Sequence, residues 1–144
     1  MKHHERVWIV ACLGIFLLDR ILKRVALSGT EIRFVPDVLV FDLFKNPGIA
    51  FSLPFSGPLV WVASVGILAA VSLMAAKEFR AKRFDAAGAF GLFVFGACSN
   101  LFDRVVYGFT VDYLIFFSRS AVNLADGMIV AGALWLLFRD RIKK

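Results

Sequence analysis

The sequence predicts an all-α membrane protein, a bundle of four transmembrane helices with a small extracytoplasmic β-sheet in the loop between helices 1 and 2. Hydrophobic residues make up 60% of the 144 residues, and the mean hydropathy is +0.77, whereas soluble domains are roughly half apolar. Long apolar segments recur along the chain, and the basic residues cluster at their ends. We therefore expect one integral-membrane domain over residues 1–144.

The predicted transmembrane segments are those that approach the length of about 20 residues needed to cross a bilayer. They cover approximately residues 7–27, 58–76, 86–102 and 120–138. The first and fourth segments reach this length only by including their charged ends, which contain Asp19 and Asp126. We expect these two carboxylates to lie near one membrane interface.

The distribution of basic residues predicts the orientation of the helices. Ten of the seventeen Lys and Arg residues precede the first segment, lie between the second and third, or follow the fourth. Because cytoplasmic loops carry the excess of Lys and Arg, both termini are predicted to be cytoplasmic. Asp103, Asp112 and Asp126 then lie on the outer side. The net charge of +6 follows this topology, and no nucleic-acid partner is expected.

The first outer loop, about residues 28–57, contains its own structural pattern. Residues 32–44 are rich in Val, Phe and Ile with partial alternation, which predicts one or two short strands, and a turn is expected at Asp37. The segment Asn-Pro-Gly at 46–48 ends this run before an apolar stretch at 49–55. The aromatic residues of the loop fit an interface belt and a platform for an acyl chain or peptide equally well.

Several catalytic sites are excluded by the positions of histidine and cysteine. The only histidines, His3 and His4, precede the first segment, so a Ser-His-Asp triad, a Cys-His pair or an HExxH zinc site has no histidine near the acids. Cys12 and Cys98 lie inside apolar segments and are expected to be small buried residues. No metal and no cofactor is predicted.

Two short segments resemble each other, NLFD at residues 100–103 and NLAD at 123–126. Carboxylates are costly at membrane depth and mark functional sites there. Within each segment the Asn and the Asp share a helix face, so the amide can donate a hydrogen bond to the carboxylate. The alternative is helix capping, which both residue types favour.

A third carboxylate, Asp112, lies in an apolar stretch at residues 110–114 with no basic neighbour in the sequence. Such a carboxylate is expected to have a raised pKa. If Asp112 approaches Asp126, the two titrate as a coupled pair and can divide the roles of acid and base, as in aspartic proteases. The alternative is a pair of solvated loop acids.

Other charged residues are expected to support structure or substrate. Asp19 and Lys23 are four residues apart and can form a helical ion pair that orients a substrate; simple snorkelling to the interface is the alternative. Arg104 directly follows Asp103 and is expected to neutralise it or to bind a lipid phosphate.

Five blocks in this order resemble lipoprotein signal peptidase, also called signal peptidase II, a family of bacterial membrane aspartyl proteases. The resemblance covers nearly the whole chain. The blocks are LDRILK at 18–23, NPGIAFS at 46–52, NLFDR at 100–104, VDY at 111–113 and NLAD at 123–126.

The resemblance implies removal of the signal peptide from a prolipoprotein, just before its diacylglyceryl-cysteine, at the outer face of the bacterial plasma (inner) membrane. The family's catalytic aspartates fall on Asp112 and Asp126. The positions that support the pair or surround the substrate fall on Asn46, Asn100, Asp103, Arg104, Asn123, Asp19 and Lys23. The resemblance also implies a cofactor-free enzyme that is blocked by the cyclic peptide globomycin. We expect a monomer with prolipoproteins and membrane lipid as partners.

The chain departs from the usual family pattern at Arg20, Pro47, Ser99, Val122 and Gly127, and the segment between the two aspartates is a few residues shorter. A non-catalytic member of the fold that binds lipoproteins or lipids is therefore the alternative function. A small proton-coupled carrier is a third possibility, weakened because the acids gather at one face and not at the midplane.

Overall fold

Four long helices are joined at one end by a small antiparallel sheet. The computed structural model describes residues 3–47 and 58–142. The helices are α1 (His3–Leu27), α2 (Pro58–Arg80), α3 (Phe84–Tyr107) and α4 (Leu124–Ile142). The strands are β1 (Ile32–Val35), β2 (Leu39–Asn46), β3 (Thr110–Phe116) and β4 (Ser120–Val122).

Helix α3 is the central helix, since it packs against α1, α2 and α4. Glycines on both helices allow α3 and α4 to approach closely. A Cβ on Gly96 of α3 would lie 2.5 Å from the carbonyl oxygen of Ala125, and a Cβ on Gly132 of α4 would lie 2.5 Å from the carbonyl oxygen of Ala89. Within the described residues, α3 is also the one helix long and apolar enough to cross a membrane by length and composition, with a mean hydropathy of 1.4.

The sheet has the order β1-β2-β3-β4, and every neighbouring pair is antiparallel. The first loop supplies β1 and β2, as predicted, and the turn between them places Asp37 in the left-handed region with φ 60°. The sheet is larger than the one predicted between helices 1 and 2. Strands β3 and β4 come from the loop between α3 and α4, and β3 pairs directly with β2.

Two predicted helix boundaries next to the sheet need correction, and the ends far from the sheet differ from the prediction by two to four residues. The fourth helix was expected from about residue 120, but it begins at Leu124 because Ser120–Val122 forms β4. The third was expected to end near 102 but continues to Tyr107. It ends at Gly108, whose φ of 81° lets its N–H bond the carbonyl of Arg104. The predicted apolar stretch at 49–55 lies outside the described residues.

A small core fixes the sheet against the end of α1. Ala26 of α1 packs with Phe41 of β2 and with Val111 and Tyr113 of β3, and the Phe41 and Tyr113 rings lie 5.5 Å apart between centroids. Because alternate residues of a strand face opposite sides, burial of residues 111 and 113 in this core directs Asp112 to the other side.

Candidate active site

A cavity of about 190 Å³ opens between the sheet and helices α2, α3 and α4, and both Asp112 and Asp126 line it. Its wall combines the two carboxylates with other polar side chains and with an apolar flank. The remaining lining residues are Asn46, Ser64, Ile67, Leu68, Phe93, Ala97, Asn100, Leu101, Arg104, Thr110 and Ile129.

Asp112 is held by two side-chain amides. Asn46 donates to its Oδ2 at 2.9 Å, and Asn123 donates to its Oδ1 at 2.6 Å. Asn46 pairs with Thr110 in the sheet register, so it lies diagonally across from Asp112 on the same face. Asp112 is only 1% exposed. This burial raises its pKa to about 6; the charge of Asp126 adds to the rise, and the two amides oppose it.

Asp126 lies in the first turn of α4 and receives two N–H donors. The Asn100 amide donates to Oδ1 at 2.8 Å, and the main-chain N–H of Asn123 donates to Oδ2 at 3.2 Å. In return the main-chain N–H of Asp126 bonds the side-chain oxygen of Asn123 at 2.9 Å. This reciprocal pair is a helix cap, so the capping alternative is correct for this Asn and Asp.

Asn123 serves the cap and the carboxylates at once. Its side-chain nitrogen, which bonds Asp112, also lies 3.1 Å from the side-chain oxygen of Asn100. The expected pairing of Asn100 with Asp103 was wrong in its acceptor: the amide of Asn100 donates to Asp126 on the neighbouring helix. Spacing along one helix predicts a shared face but not a partner on another helix.

Behind the two aspartates lies a buried ionic cluster. Lys23 bonds Asp103 at 2.6 Å and Asp19 at 3.3 Å, and all three side chains are 0% exposed. The predicted pair of Asp19 and Lys23 is therefore present, but it is buried and does not snorkel. The ammonium also donates to the side-chain oxygen of Asn100 at 2.8 Å, which connects the cluster to the cavity wall.

The cations that bind Asp103 come from α1. Arg20 Nη1 donates to its Oδ1 at 2.6 Å, and Lys23 occupies the other oxygen. The cations that neutralise Asp103 are therefore Arg20 and Lys23, where Arg104 was expected. Arg104 donates from Nε to the hydroxyl of Thr110 at 3.0 Å and lines the cavity.

Tyr113 has a role in the cluster that was not predicted from the sequence. Its hydroxyl donates to Asp19 at 3.0 Å and accepts the main-chain N–H of Leu124 at 2.9 Å. Asp19 in turn accepts the N–H of Ala125 at 3.2 Å. Burial raises the pKa of Tyr113, so the phenol stays protonated and remains a donor. The apolar neighbours of Tyr113 in the sequence indicate that it is buried, but they do not indicate its hydrogen-bond partners.

Among the residues that the structure describes, no group of three or more His, Cys, Asp or Glu side chains is arranged to hold a metal ion. Within the same residues, every buried side-chain nitrogen or oxygen has a hydrogen-bond partner. The cavity wall is therefore a satisfied polar network, in which each carboxylate has a fixed position.

A family model described as "Signal peptidase (SPase) II" matches residues 11–140. The chain belongs to the signal peptidase II family. The match covers most of α1 and α4 and the whole of α2, α3 and the sheet, and it includes every residue of the cavity wall.

Curated relatives of this family member are named lipoprotein signal peptidase. The protein of Microcystis aeruginosa is 32% identical over 94% of this chain and 92% of its own length. That of Allorhizobium ampelinum is 34% identical over 92% of this chain and 86% of its own. That of Neisseria gonorrhoeae is 32% identical over 89% of this chain and 84% of its own.

Two solved structures share the fold of this family member, and both are described as bacterial membrane enzymes determined by the in meso method. One, at 2.3 Å resolution, has a TM-score of 0.74 with 21% identity and covers 95% of this chain and 88% of its own. The other, at 1.9 Å, has a TM-score of 0.73 with 20% identity and covers 92% and 91%. The protein is thus a bacterial membrane protein of this fold.

The structure brings the predicted site residues of this signal peptidase together in two layers. The first layer lines the cavity and consists of Asp112, Asp126, Asn46, Asn100 and Arg104. Asn123 does not line the cavity but bonds both aspartates. The second layer is the buried cluster of Asp19, Lys23 and Asp103.

Positions that depart from the family pattern have different surroundings. Arg20 and Ser99 both contact the buried cluster, whereas a Cβ on Gly127 would meet nothing within 4 Å. The segment between the aspartates, expected to be shorter than is usual in the family, is the β3–β4 hairpin, which turns tightly at Phe117 and Ser118 with φ of 51° and 53°. The hairpin keeps both aspartates on one cavity.

Proposed function

We propose that this chain is an aspartic endopeptidase that cleaves diacylglyceryl-modified prolipoproteins just before the lipidated cysteine, with Asp112 and Asp126 as the catalytic pair. Membership of the signal peptidase II family makes it a protease of lipoprotein signal peptides. The observation that carries the proposal is that two carboxylates from separate elements line one cavity and are both bonded to Asn123.

The pair shares one proton, because two carboxylates at one site do not both ionise readily. The ionised carboxylate takes a proton from a water molecule, whose oxygen attacks the scissile carbonyl carbon. The protonated carboxyl group gives its proton to the carbonyl oxygen. When the tetrahedral intermediate collapses, the carboxyl group that took the proton from water gives it to the nitrogen, and the C–N bond breaks. A hydroxyl of the intermediate returns its proton to the other carboxylate as the carbonyl re-forms, so the amine of the lipidated cysteine leaves and the pair again holds one proton. Burial raises the pKa of Asp112 to about 6, which supports a proton held in the pair up to about that pH.

The polar side chains around the pair have positioning roles in this scheme. Asn46 and Asn123 fix Asp112, and Asn100 fixes Asp126. Arg104, half-buried in the cavity wall, is placed to bind the polar head of a lipid or the main chain of a substrate. The cluster behind them, formed by Asp19, Lys23 and Asp103, keeps α1, α3 and α4 in register.

The apolar flank of the cavity is suited to the lipidated substrate. Ile67 and Leu68 of α2, Phe93 of α3 and Ile129 of α4 line it. An apolar wall with a few convergent polar groups is the usual form of a small-molecule site. Binding of the acyl chains away from the scissile bond contributes orientation at the reacting atoms.

All four helices are proposed to span the membrane as one domain, with both termini cytoplasmic and the site at the extracytoplasmic face. Their lengths of 25, 23, 24 and 19 residues are near the span of a bilayer. Large apolar side chains on α1, α2 and α4 are exposed, with Val10 at 68%, Val62 at 69% and Leu137 at 70%, which is suited to contact with lipid. The chain is proposed to work as a monomer in contact with membrane lipid.

The alternative of a non-catalytic binder of lipoproteins is not favoured, since the chain matches a peptidase family across its length and retains both aspartates in the cavity. The two functions are separated by a cleavage assay on the purified protein in lipid. A diacylglyceryl prolipoprotein is expected to release its signal peptide, and globomycin is expected to block the release. The unmodified precursor is the matched control. Binding of the lipidated precursor without release would favour the alternative.

A further inference from the structure

We propose that Arg20 and Ser99 are positioning residues for Asp126, acting through the buried charge cluster that connects α1 and α3 to the first turn of α4. This inference rests on the proposed function, because it assigns a role in cleavage to residues outside the cavity. Neither residue is among the described residues that line the cavity, so neither is proposed to touch the substrate.

Arg20 balances the charge of the cluster. Asp19, Lys23 and Asp103 are 0% exposed, and on their own they bring two negative charges and one positive charge into the interior. Arg20 supplies the second positive charge through its 2.6 Å bond to Asp103. A buried charge without a partner is costly, whereas a balanced and hydrogen-bonded set is tolerated. Arg20 therefore completes the charge balance of the cluster.

The guanidinium of Arg20 is held in a defined place. Its side chain is 18% exposed, and its central carbon lies 4.5 Å from the centre of the Phe102 ring, a cation–π arrangement. The same nitrogen that bonds Asp103 also lies 3.1 Å from the hydroxyl and 3.3 Å from the carbonyl oxygen of Ser99. Arg20 thus bonds two residues of α3 that are one helical turn apart.

Ser99 links the positive and negative members of the cluster. Its hydroxyl donates to Asp19 Oδ2 at 2.6 Å and accepts from Arg20 and from Lys23, the latter at 3.4 Å. Ser99 is fully buried, so no water replaces its hydroxyl readily. Without it, Asp19 loses a donor and Arg20 loses an acceptor.

The first route from the cluster to Asp126 passes through Lys23. The ammonium is a donor only, so its 2.8 Å bond to Asn100 fixes the side-chain oxygen of that amide toward Lys23. The amide nitrogen must then point the other way, where it donates to Asp126 at 2.8 Å. Because Arg20 shares the charge of Asp103, Lys23 keeps a free N–H for Asn100.

The second route passes through Asp19. Ser99 holds one carboxylate oxygen of Asp19, and the other oxygen accepts the N–H of Ala125 at 3.2 Å, the residue directly before Asp126. Asp19 thereby caps the helix that carries Asp126 from a neighbouring helix. Both routes start at the pair formed by Arg20 and Ser99 and end in the first turn of α4.

The test is a double-mutant cycle on kcat and KM, with a diacylglyceryl prolipoprotein as the probe. Arg20→Gln and Ser99→Ala are each expected to lower kcat about tenfold with KM unchanged, because they shift Asp126 and leave the apolar flank of the cavity intact. The double variant is expected to fall well short of a hundredfold loss, since the two residues form one contact. Arg20→Lys keeps the charge and is expected to recover part of the loss.

The matched control is Arg24→Gln, which removes the same charge one turn further along α1 from an exposed position. It is expected to keep the wild-type kcat. The inference would be overturned if Arg20→Gln and Ser99→Ala kept the wild-type kcat or lost no more of it than Arg24→Gln does. It would also be overturned if the loss of kcat in the double variant equalled the product of the two single losses. If Arg20→Gln does not fold, Ser99→Ala and Arg20→Lys decide by the same criteria. Asp126→Asn, measured in parallel, distinguishes failure of the proposed function from failure of the positioning role. Cleavage by Asp126→Asn would contradict the proposed function itself.

Discussion

The side-chain amide of Asn123 donates a hydrogen bond of 2.6 Å to Asp112, and this bond connects β3 to the residue that caps α4. The main-chain N–H of the same Asn123 donates to Asp126 at 3.2 Å. One residue therefore sets the relative position of two carboxylates on separate elements. This relationship makes Asn123 the position at which capping and catalysis can be separated.

Asn123→Ser is expected to lower the cleavage rate roughly hundredfold, because a misplaced catalytic group costs about that much. Serine is as good a helix cap as asparagine, but it lacks the amide that bonds Asp112. Asn123→Ala, the control, should lose the same activity and in addition be less stable than the serine variant by about 1 kcal/mol. Kinetics and thermal unfolding in one lipid system would measure both. A serine variant with wild-type turnover would contradict the positioning role of the amide.

Asp112→Asn is expected to change the pH dependence of stability. The folded state raises the pKa of Asp112 from 3.8 to about 6, so it binds this proton more tightly than the unfolded chain does. Binding of this proton therefore stabilises the folded wild type fully below pH 4, and this stabilisation is lost as the pH rises through 6. Relative to the wild type, the variant should gain on the order of 3 kcal/mol in unfolding free energy over that range. A difference independent of pH would contradict the burial of an ionisable group here.

Gly96→Ala is expected to push α4 away from α3. The added Cβ would lie 2.5 Å from the carbonyl oxygen of Ala125 and 3.0 Å from Ile129, and overpacking of this kind costs about 1–3 kcal/mol. Because the bond from Asn100 to Asp126 crosses the same interface, the cleavage rate should fall as well. Gly14→Ala on α1, where a Cβ would meet nothing within 4 Å, should keep both stability and activity. Equal behaviour of the two alanine variants would contradict the close α3–α4 contact.

The helices and the unusual carboxylate could be predicted from the sequence. Length and apolar character located all four helices to within a few residues at most ends, because these properties are local. The raised pKa of Asp112 was predicted from its apolar neighbours and the absence of an adjacent cation, and the burial of Asp112 in the structure raises its pKa to about 6. The pairing of Asp112 with Asp126 was expected from the family resemblance, and both lie on one cavity.

The contacts between distant segments could not be predicted. Strand β4 has three residues, too few for an alternating pattern, so residues 120–122 were assigned to the helix that follows. The donor to Asp126 comes from Asn100 on another helix, and helical spacing gives no information about such a partner. The contact of Arg20 with Ser99 joins residues 79 apart in sequence, and it depends on how α1 packs against α3.

Cleavage of a diacylglyceryl prolipoprotein by Asp112→Asn and by Asp126→Asn tests the catalytic pair most directly. Both variants keep the side-chain size and should insert in the membrane as the wild type does, which protease protection of the loops would verify. If the two carboxylates share one proton and activate one water, each single variant should lose signal-peptide release entirely. Turnover at the wild-type rate in either variant would contradict the assignment of Asp112 and Asp126 as the catalytic residues.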